Sequence, residues 1–394
     1  MRILYLTDSY RPSRSACANR TVVLVEALRE AGHDVQVLAS SDSLLKASDD
    51  YVTPNYVTYF ETFPLEEKTL VNRLKNNFGG QKASVKASRS MGDFDVVICT
   101  TPPLLLTTSA MKIAREKHAR LVLDVRDIWP DVAFEMGSFT PRSPYGIFFS
   151  HIASKGFKSA DLVVSVSPGK VEKLRKRVSS RDVLLVPNGI DEDFIEGDFD
   201  ADIMSRYGIK AESETCVYVG NIGLAQGLGT LLDIAKKRPC VNFLLFGDGA
   251  DKKTLEKRAQ EENLSNVSFC GSVGAREVRS VLKSASLSFI PLVSSRLKDS
   301  IPTKLYESLA CGCPVLLAAV GDSAALLDES GLGMHAAPED QEGLLTCFDA
   351  ILSRGYSSDE RMRASRWVLE NHSRQRFAQK LVHGVSNLET CDEY

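Results

Sequence analysis

Short apolar runs that stop at turn residues alternate with helical stretches from residue 2 onward, and the alternation starts again near residue 215. A chain built this way has few options. Strands joined by helices pair in parallel, and the helices must cover both faces of the sheet. In the front half the strands read as "RILYL" (2–6), "DVQVLAS" (34–40), "DVVICT" (95–100), "RLVLDV" (120–125), "LVVSVS" (162–167) and "DVLLVPNGI" (182–190). Between the first two, residues 19–33 have helical spacing, with Val22, Val25 and Leu28 on one face and Gly32 placed for a C-terminal cap. The second series reads "TCVYVGNIG" (215–223), "VNFLLFGDG" (241–249), "VSFCGSV" (267–273) and "LSFIPL" (287–292), with helices at 229–239, 250–264 and 275–286. The expected class is α/β: two doubly wound Rossmann-like domains facing a cleft, with ligands held at the carboxyl ends of the strands.

A length of 394 residues supports two cores, since single cores stop growing near about 250–300 residues. The expected domains are 1–190, 191–365 and a helical segment, 366–394, that returns to the first domain. The helix there should run over 364–389 and carry Trp367 and Phe377.

The net charge of -3 argues against a general nucleic-acid binder. Charge is unevenly spread: residues 1–190 hold 26 Lys and Arg against 20 Asp and Glu, and the remainder holds 22 against 31. A basic front half suits phosphates or an anionic surface, although two solvated surfaces of unlike composition would look the same. The nine cysteines are odd in number and show no disulfide spacing; "CGC" at 311–313 lacks a second ligand pair for zinc. Reduced core thiols, a cytoplasmic location and no bound metal are the expectation. Met1 leads straight into a strand, which argues against a signal peptide, and no apolar window is long enough to span a bilayer.

Four stretches could carry chemistry. "GNIGLAQGLG" (220–229) follows a strand and opens a helix, so its backbone can approach phosphate oxygens; Asn221, Gly223 and Gln226 are the candidate contacts, and a plain structural turn is the alternative. "LDVRDIWPDV" (123–132) packs Asp124, Arg126, Asp127, Trp129 and Asp131 at the end of a strand. Local ion pairs on a surface loop compete with a functional reading there. "YRPSRSACANR" (10–20) is the first strand-to-helix loop, where Ser15 and Ala16 are small enough for a ligand to come close. "DSIPTKLYESLACGCPV" (299–315) should form a helix that starts at Pro302 and stops at Gly312. Lys304 and Glu307 then share a face, opposite Leu305 and Leu309. The carboxylate can accept from a diol such as a ribose, and the cation with the helix N-terminus can hold a pyrophosphate. A surface ion pair is the alternative. Two further runs are basic: 72–92 has no acidic residue and carries Arg73, Lys75, Lys82, Lys86 and Arg89 with Leu74 and Phe78, and 170–181 is similar. Such runs suit an anionic membrane or are simply solvated.

The last helix resembles the carboxylate motif of the family-4 retaining glycosyltransferases of the GT-B fold: two acidic residues eight apart, here Asp299 and Glu307, then Ala-x-Gly-x-Pro-Val. "ALREAGHDVQVL", "VPNGID", "FGDGADKKTLE" and "NVSFCGSV" resemble other segments of that family. "DVRDIWPD" is similar to a subgroup that builds bacterial surface polysaccharides, including N-acetylfucosamine-type transferases. The resemblance implies that Glu307 binds the nucleotide ribose and that Asp299, where the family has glutamate, lies near the donor sugar as a catalytic residue. The family's basic pair in the glycine loop is replaced by Asn221 and Gln226, so Lys304 becomes the candidate phosphate cation. The family's Gly-Gly in the first loop appears as Ser15-Ala16 on the acceptor side. Where many members carry histidine, this chain has Arg126 and Asp127.

The expected function is retaining transfer of a sugar from a nucleotide-sugar, a UDP-sugar first, to a hydroxyl of a lipid-linked oligosaccharide or other saccharide, without a cofactor or required metal. Contact with the inner face of the membrane would accompany it. A nucleotide-sugar epimerase and a non-catalytic sugar or nucleotide sensor are the alternatives.

Overall fold

Two parallel sheets carry the chain, each with its own core. The computed structural model describes residues 1–388 apart from 14, 46, 63–69, 179–182 and 211. One unit comprises Met1–Asn188 with the segment from Arg374 onward; the other is Gly189–Ser373.

The first unit has strands β1 (Arg2–Thr7), β2 (Asp34–Ser40), β3 (Val57–Phe60), β4 (Val96–Thr101), β5 (Arg120–Val125), β6 (Leu162–Ser165) and β7 (Val183–Leu185). They pair in parallel in the order β3-β2-β1-β4-β5-β6-β7. Its helices are α1 (Ala16–Glu30), α2 (Leu70–Ser88), α3 (Leu104–Lys117), α4 (Asp131–Glu135), α5 (Pro144–Ser159) and α6 (Pro168–Arg175). The central strands are buried throughout, β4 without an exposed position, because helices cover both faces. Strand growth reverses between β1 and β4, which opens a crevice at their carboxyl ends.

The second unit repeats the plan. Its strands β8 (Thr215–Val219), β9 (Asn242–Phe246), β10 (Val267–Gly271), β11 (Leu287–Pro291), β12 (Val315–Ala318) and β13 (Gly333–Ala336) lie in the order β10-β9-β8-β11-β12-β13. Helices α7 (Gly229–Lys237), α8 (Lys252–Glu261), α9 (Ala275–Ser284), α10 (Thr303–Ala310), α11 (Asp322–Ser330), α12 (Gln341–Arg354) and α13 (Ser358–Asn371) surround them. Growth reverses between β8 and β11. The acidic stretch after Gly189 packs on this unit, with Ile203 and Met204 buried against Val217 and Phe246.

Three expectations change. The strand expected over 182–190 ends at Leu185; Pro187 has no N–H to donate, and the chain goes on irregularly to a bridge between Ile190 and Ser373. The single helix expected over 364–389 is two, α13 and α14 (Arg374–Ser386), broken at His372 and Ser373. Trp367 therefore belongs to the second unit, whereas Phe377, Ala378, Leu381 and Val385 of α14 enter the core of the first. Edge strand β3 had no clear signal, being four residues long after Pro54.

Candidate active site

The second unit's switch point is built from the glycine loop after β8 and the segment leading into α10. Loop 220–223 is tied down by its backbone: Gly220 N–H donates to Phe246 O at 2.9 Å and Ile222 N–H to Asp248 O at 2.9 Å. Gly220 has φ +145, a conformation that favours glycine, and a Cβ there would lie 2.9 Å from Lys304 Nζ, the movable end of that side chain. Leu305 and Leu309 are fully buried, which turns Lys304 and Glu307 toward the other side of α10. The N-cap is Pro302, just outside the helix rather than within its first turn, and no side chain caps the helix start. Gly312 follows at φ +64.

Lys304 does not project into solvent. Its Nζ donates to Tyr218 Oη at 2.8 Å, stands 3.5 Å from Gln226 Oε1 and lies 4.3 Å from the centre of the Tyr218 ring. Tyr218 in turn donates to Asn221 O at 2.6 Å. Burial pushes the Lys304 ammonium down to about 8, and nearby Glu307 partly opposes this. The structure thus brings Lys304, Gln226 and Asn221 into one network, with Gly223 on the same loop. Glu307 lies one turn further along α10. Asp299 is buried in the segment before it, at 3% exposure.

The first unit's switch point holds a cavity of about 510 Å³. Ser15, Ala16 and Arg126 line it, together with residues that the sequence reading passed over: Asp8, Ser9, Asp42, Thr62, Asn76 and Gln81. Asp8 directly follows β1 and Asp42 stands two residues past the end of β2, and a carboxylate just past a parallel strand was the signal that could have found them. Ser15 caps α1 by accepting from Ala18 N–H at 3.1 Å and shares a hydrogen bond with Ser9 Oγ at 2.8 Å. Arg126 donates to Thr100 Oγ1 at 2.9 Å, Pro102 O at 2.5 Å and Asp8 Oδ1 at 3.3 Å. Asp42 accepts from Thr62 Oγ1 at 2.8 Å and Asn76 Nδ2 at 3.3 Å. Two carboxylates, one engaged guanidinium, hydroxyls and amides, with Phe60 and Leu106 as apolar wall, can bind a polyhydroxylated ligand.

The charged segment after β5 comes apart. Asp124 is not a site residue: it is fully buried and bidentate to Arg20, at 2.7 and 3.0 Å. Arg20 also donates to Val186 O at 2.8 Å, so this pair fixes the chain's exit from the first sheet. Asp131 pairs with Arg177, and Trp129 packs against Phe139 and Phe149. Asp127 is partly exposed, 3.7 Å from Lys170 Nζ, and does not line the cavity. The second basic run is largely neutralised as well: Lys170, Lys173, Lys176 and Arg177 each pair with a carboxylate, and Arg175 is exposed. Residues 179–181 of that run, and the side chains of Arg73, Leu74 and Lys75 in the first, lie outside the described residues. Among the described residues no cluster of three or more metal-ligating side chains occurs, and no helix is long and apolar enough to cross a membrane.

Two switch-point sites in tandem doubly wound units define a GT-B architecture. Solved structures with the same fold include sucrose-phosphate synthase from Thermosynechococcus elongatus (TM-score 0.81, 16% identity, 100% of both chains) and WaaG, a glycosyltransferase of lipopolysaccharide biosynthesis (TM-score 0.71, 16% identity, 96% of this chain and 98% of that one). The chain is a glycosyltransferase: residues 18–194 match Glycosyltransferase Family 4, and residues 200–366 match Glycosyl transferases group 1. It is 25% identical over 284 residues to a probable glycosyltransferase, WbjE of Pseudomonas aeruginosa (70% of each chain). It is 24% identical over 340 residues to WcaI of Escherichia coli K12, a putative colanic acid biosynthesis glycosyl transferase (79% of this chain, 82% of that one). The epimerase and sensor alternatives fall away with this assignment.

Proposed function

We propose that the protein transfers a hexose from a UDP-sugar, with retention at the anomeric carbon, to a hydroxyl of a lipid-linked oligosaccharide in surface polysaccharide synthesis. The observation that carries this is the network at the second switch point. Lys304, set against the glycine loop, supplies a cation for the diphosphate. Glu307, on the same helix, accepts from the ribose hydroxyls, and Asp299 stands eight residues earlier for the sugar. The uncapped N-terminus of α10 adds its dipole. No metal is needed in this scheme, because Lys304 and backbone N–H groups meet the charge that develops on the leaving diphosphate.

A fold neighbour, HepE of Anabaena, was solved with UDP and with UDP-glucose, which supports a uridine donor (TM-score 0.74 and 0.73). The names of WbjE and WcaI support a polysaccharide context. On the acceptor side, the cavity bordered by Ser15, Ala16 and Arg126 takes the terminal sugar, and Asp127 stands beyond its edge. Working on a lipid-linked acceptor would bring the protein to the inner face of the membrane.

The test is a panel of nucleotide-sugars incubated with lipid extract, followed by NMR of the purified product. An axial donor bond should give an axial product bond. Inversion would overturn retention, and isomerised donor without transfer would overturn the assignment of acceptor chemistry.

A further inference from the structure

The apolar side chains that a folded unit leaves in water mark a surface meant for something else. Among the described residues, Tyr145, Ile147 and Phe148 are 52%, 61% and 45% exposed within four consecutive positions of α5. Nothing local forces them out. Ser143 caps the helix, Pro144 opens it, and Gly146, Phe149, Ile152 and Phe157 fill the buried side. Phe148 rests on Phe149 at 5.3 Å between ring centres, and Phe149 is backed by Trp129, so the exposed rings stand on a rigid base.

The same helix layer is strongly basic. Helix α3 packs between α2 and α5, and these three helices hold nine Lys and Arg against a single acidic residue, Glu116. All three follow the carboxyl ends of strands and run the same way. Their exposed, described cations fall in the second halves: Lys82 and Lys86, Lys112 and Arg115, Lys155 and Lys158; Lys117 turns aside to Asp93. A groove between α3 and α5 is lined by Lys112, Arg115, His151 and Lys155, with Glu116 as its one acidic residue, paired with Lys112 and Arg89. About 15 Å along α5, at its start, stand the exposed rings. No acidic residue occurs between Met136 and Ala160.

We infer that the outer face of α2, α3 and α5 docks on a bilayer rich in anionic lipid, with Tyr145, Ile147 and Phe148 entering the headgroup layer and the groove cations meeting lipid phosphates. Charge decides the occupant: a second copy would set six exposed, described cations against six, whereas an anionic leaflet complements them. Lys82 and Lys86 of the first basic run belong to this face. The second, on and just after α6, stands apart: α6 packs on β6 and β7, and four of the run's five described cations, all but Arg175, pair with carboxylates. The docking end of α5 is also the end of the sheet at which the cavity of the first unit opens, where a lipid-linked acceptor would be presented. The inference rests on the proposed acceptor for its purpose, but it is measured without any transfer.

The experiment is co-sedimentation of the full chain with vesicles of phosphatidylcholine alone and of phosphatidylcholine with phosphatidylglycerol. The expected result is binding to the anionic vesicles only, weakened by salt. Binding should fall about thirtyfold in Lys155→Glu/Lys158→Glu and at least about tenfold in Ile147→Ser/Phe148→Ser, with Lys176→Glu unchanged. Circular dichroism confirms folding of these surface variants. Equal binding by wild type and the α5 variants, or no binding to anionic vesicles, overturns the inference. So does a dimer in light scattering that Phe148→Ser dissolves. Transfer to a lipid-free acceptor, assayed in parallel, separates this failure from a failure of the proposed reaction.

Discussion

Lys304 shows how one side chain can be both costly and useful. Its folded pKa of about 8 lies below the ordinary lysine value, mainly through burial. The sign follows: below pH 8 the folded protein holds a charge that the unfolded chain would hold more easily, and this penalty disappears as pH rises toward the unfolded value. A donor diphosphate needs the charged form. Donor affinity is therefore expected to fall about tenfold between pH 7 and pH 9, measured by calorimetry with UDP. In Lys304→Met that dependence should vanish together with most of the affinity, while thermal stability at pH 7 rises by about 1 kcal/mol. The Arg20–Asp124 pair behaves oppositely. Arg20→Ala strands a buried carboxylate and should cost about 3–5 kcal/mol in urea denaturation. From the sequence, Asp124 and Arg126 looked alike, two charges near a strand end. What separates them is direction: Asp124 points beneath α1 to Arg20, and Arg126 toward the cavity. A strand's period distinguishes its two faces, but does not say which face meets a buried partner 104 residues away.

At the scale of elements, most strands and the α10 segment were legible because apolar runs and turn residues mark them sharply. The break between α13 and α14 was not. Helical spacing continues across His372 and Ser373, and only the pairing of Ile190 with Ser373 shows that the chain stops being helical there. The exposed rings of α5 were also illegible, since an aromatic in a sequence reads as core until its neighbours are placed. Helix α14 closes the first unit by packing along α1. Leu381 is fully buried there, and Leu381→Ala is expected to destabilise the protein by about 2–5 kcal/mol in denaturant unfolding.

For the molecule as a whole, the chain divides function by unit. The first, discontinuous unit holds a hydroxyl- and carboxylate-lined cavity and a basic helix face; the second, continuous unit holds the cation and carboxylate of α10. The repeated alternation of strand and helix was visible in the sequence, and with it the expectation of ligands at the carboxyl ends of the strands; the strand order, and so the switch points, came from the structure. Candidate residues were legible only where a motif spans few positions, as between Asp299 and Glu307. The cavity residues Asp8, Asp42, Thr62, Asn76 and Gln81 come from separate loops and helices, and no local pattern joins them. The central claim is that the α10 site binds the donor for transfer. Glu307→Ala, shown folded by circular dichroism, should be compared with wild type for transfer of radiolabel from a UDP-sugar into lipid extract. Labelled lipid is expected with wild type, and a loss of about hundredfold or more in the variant. Wild-type turnover by Glu307→Ala would contradict it.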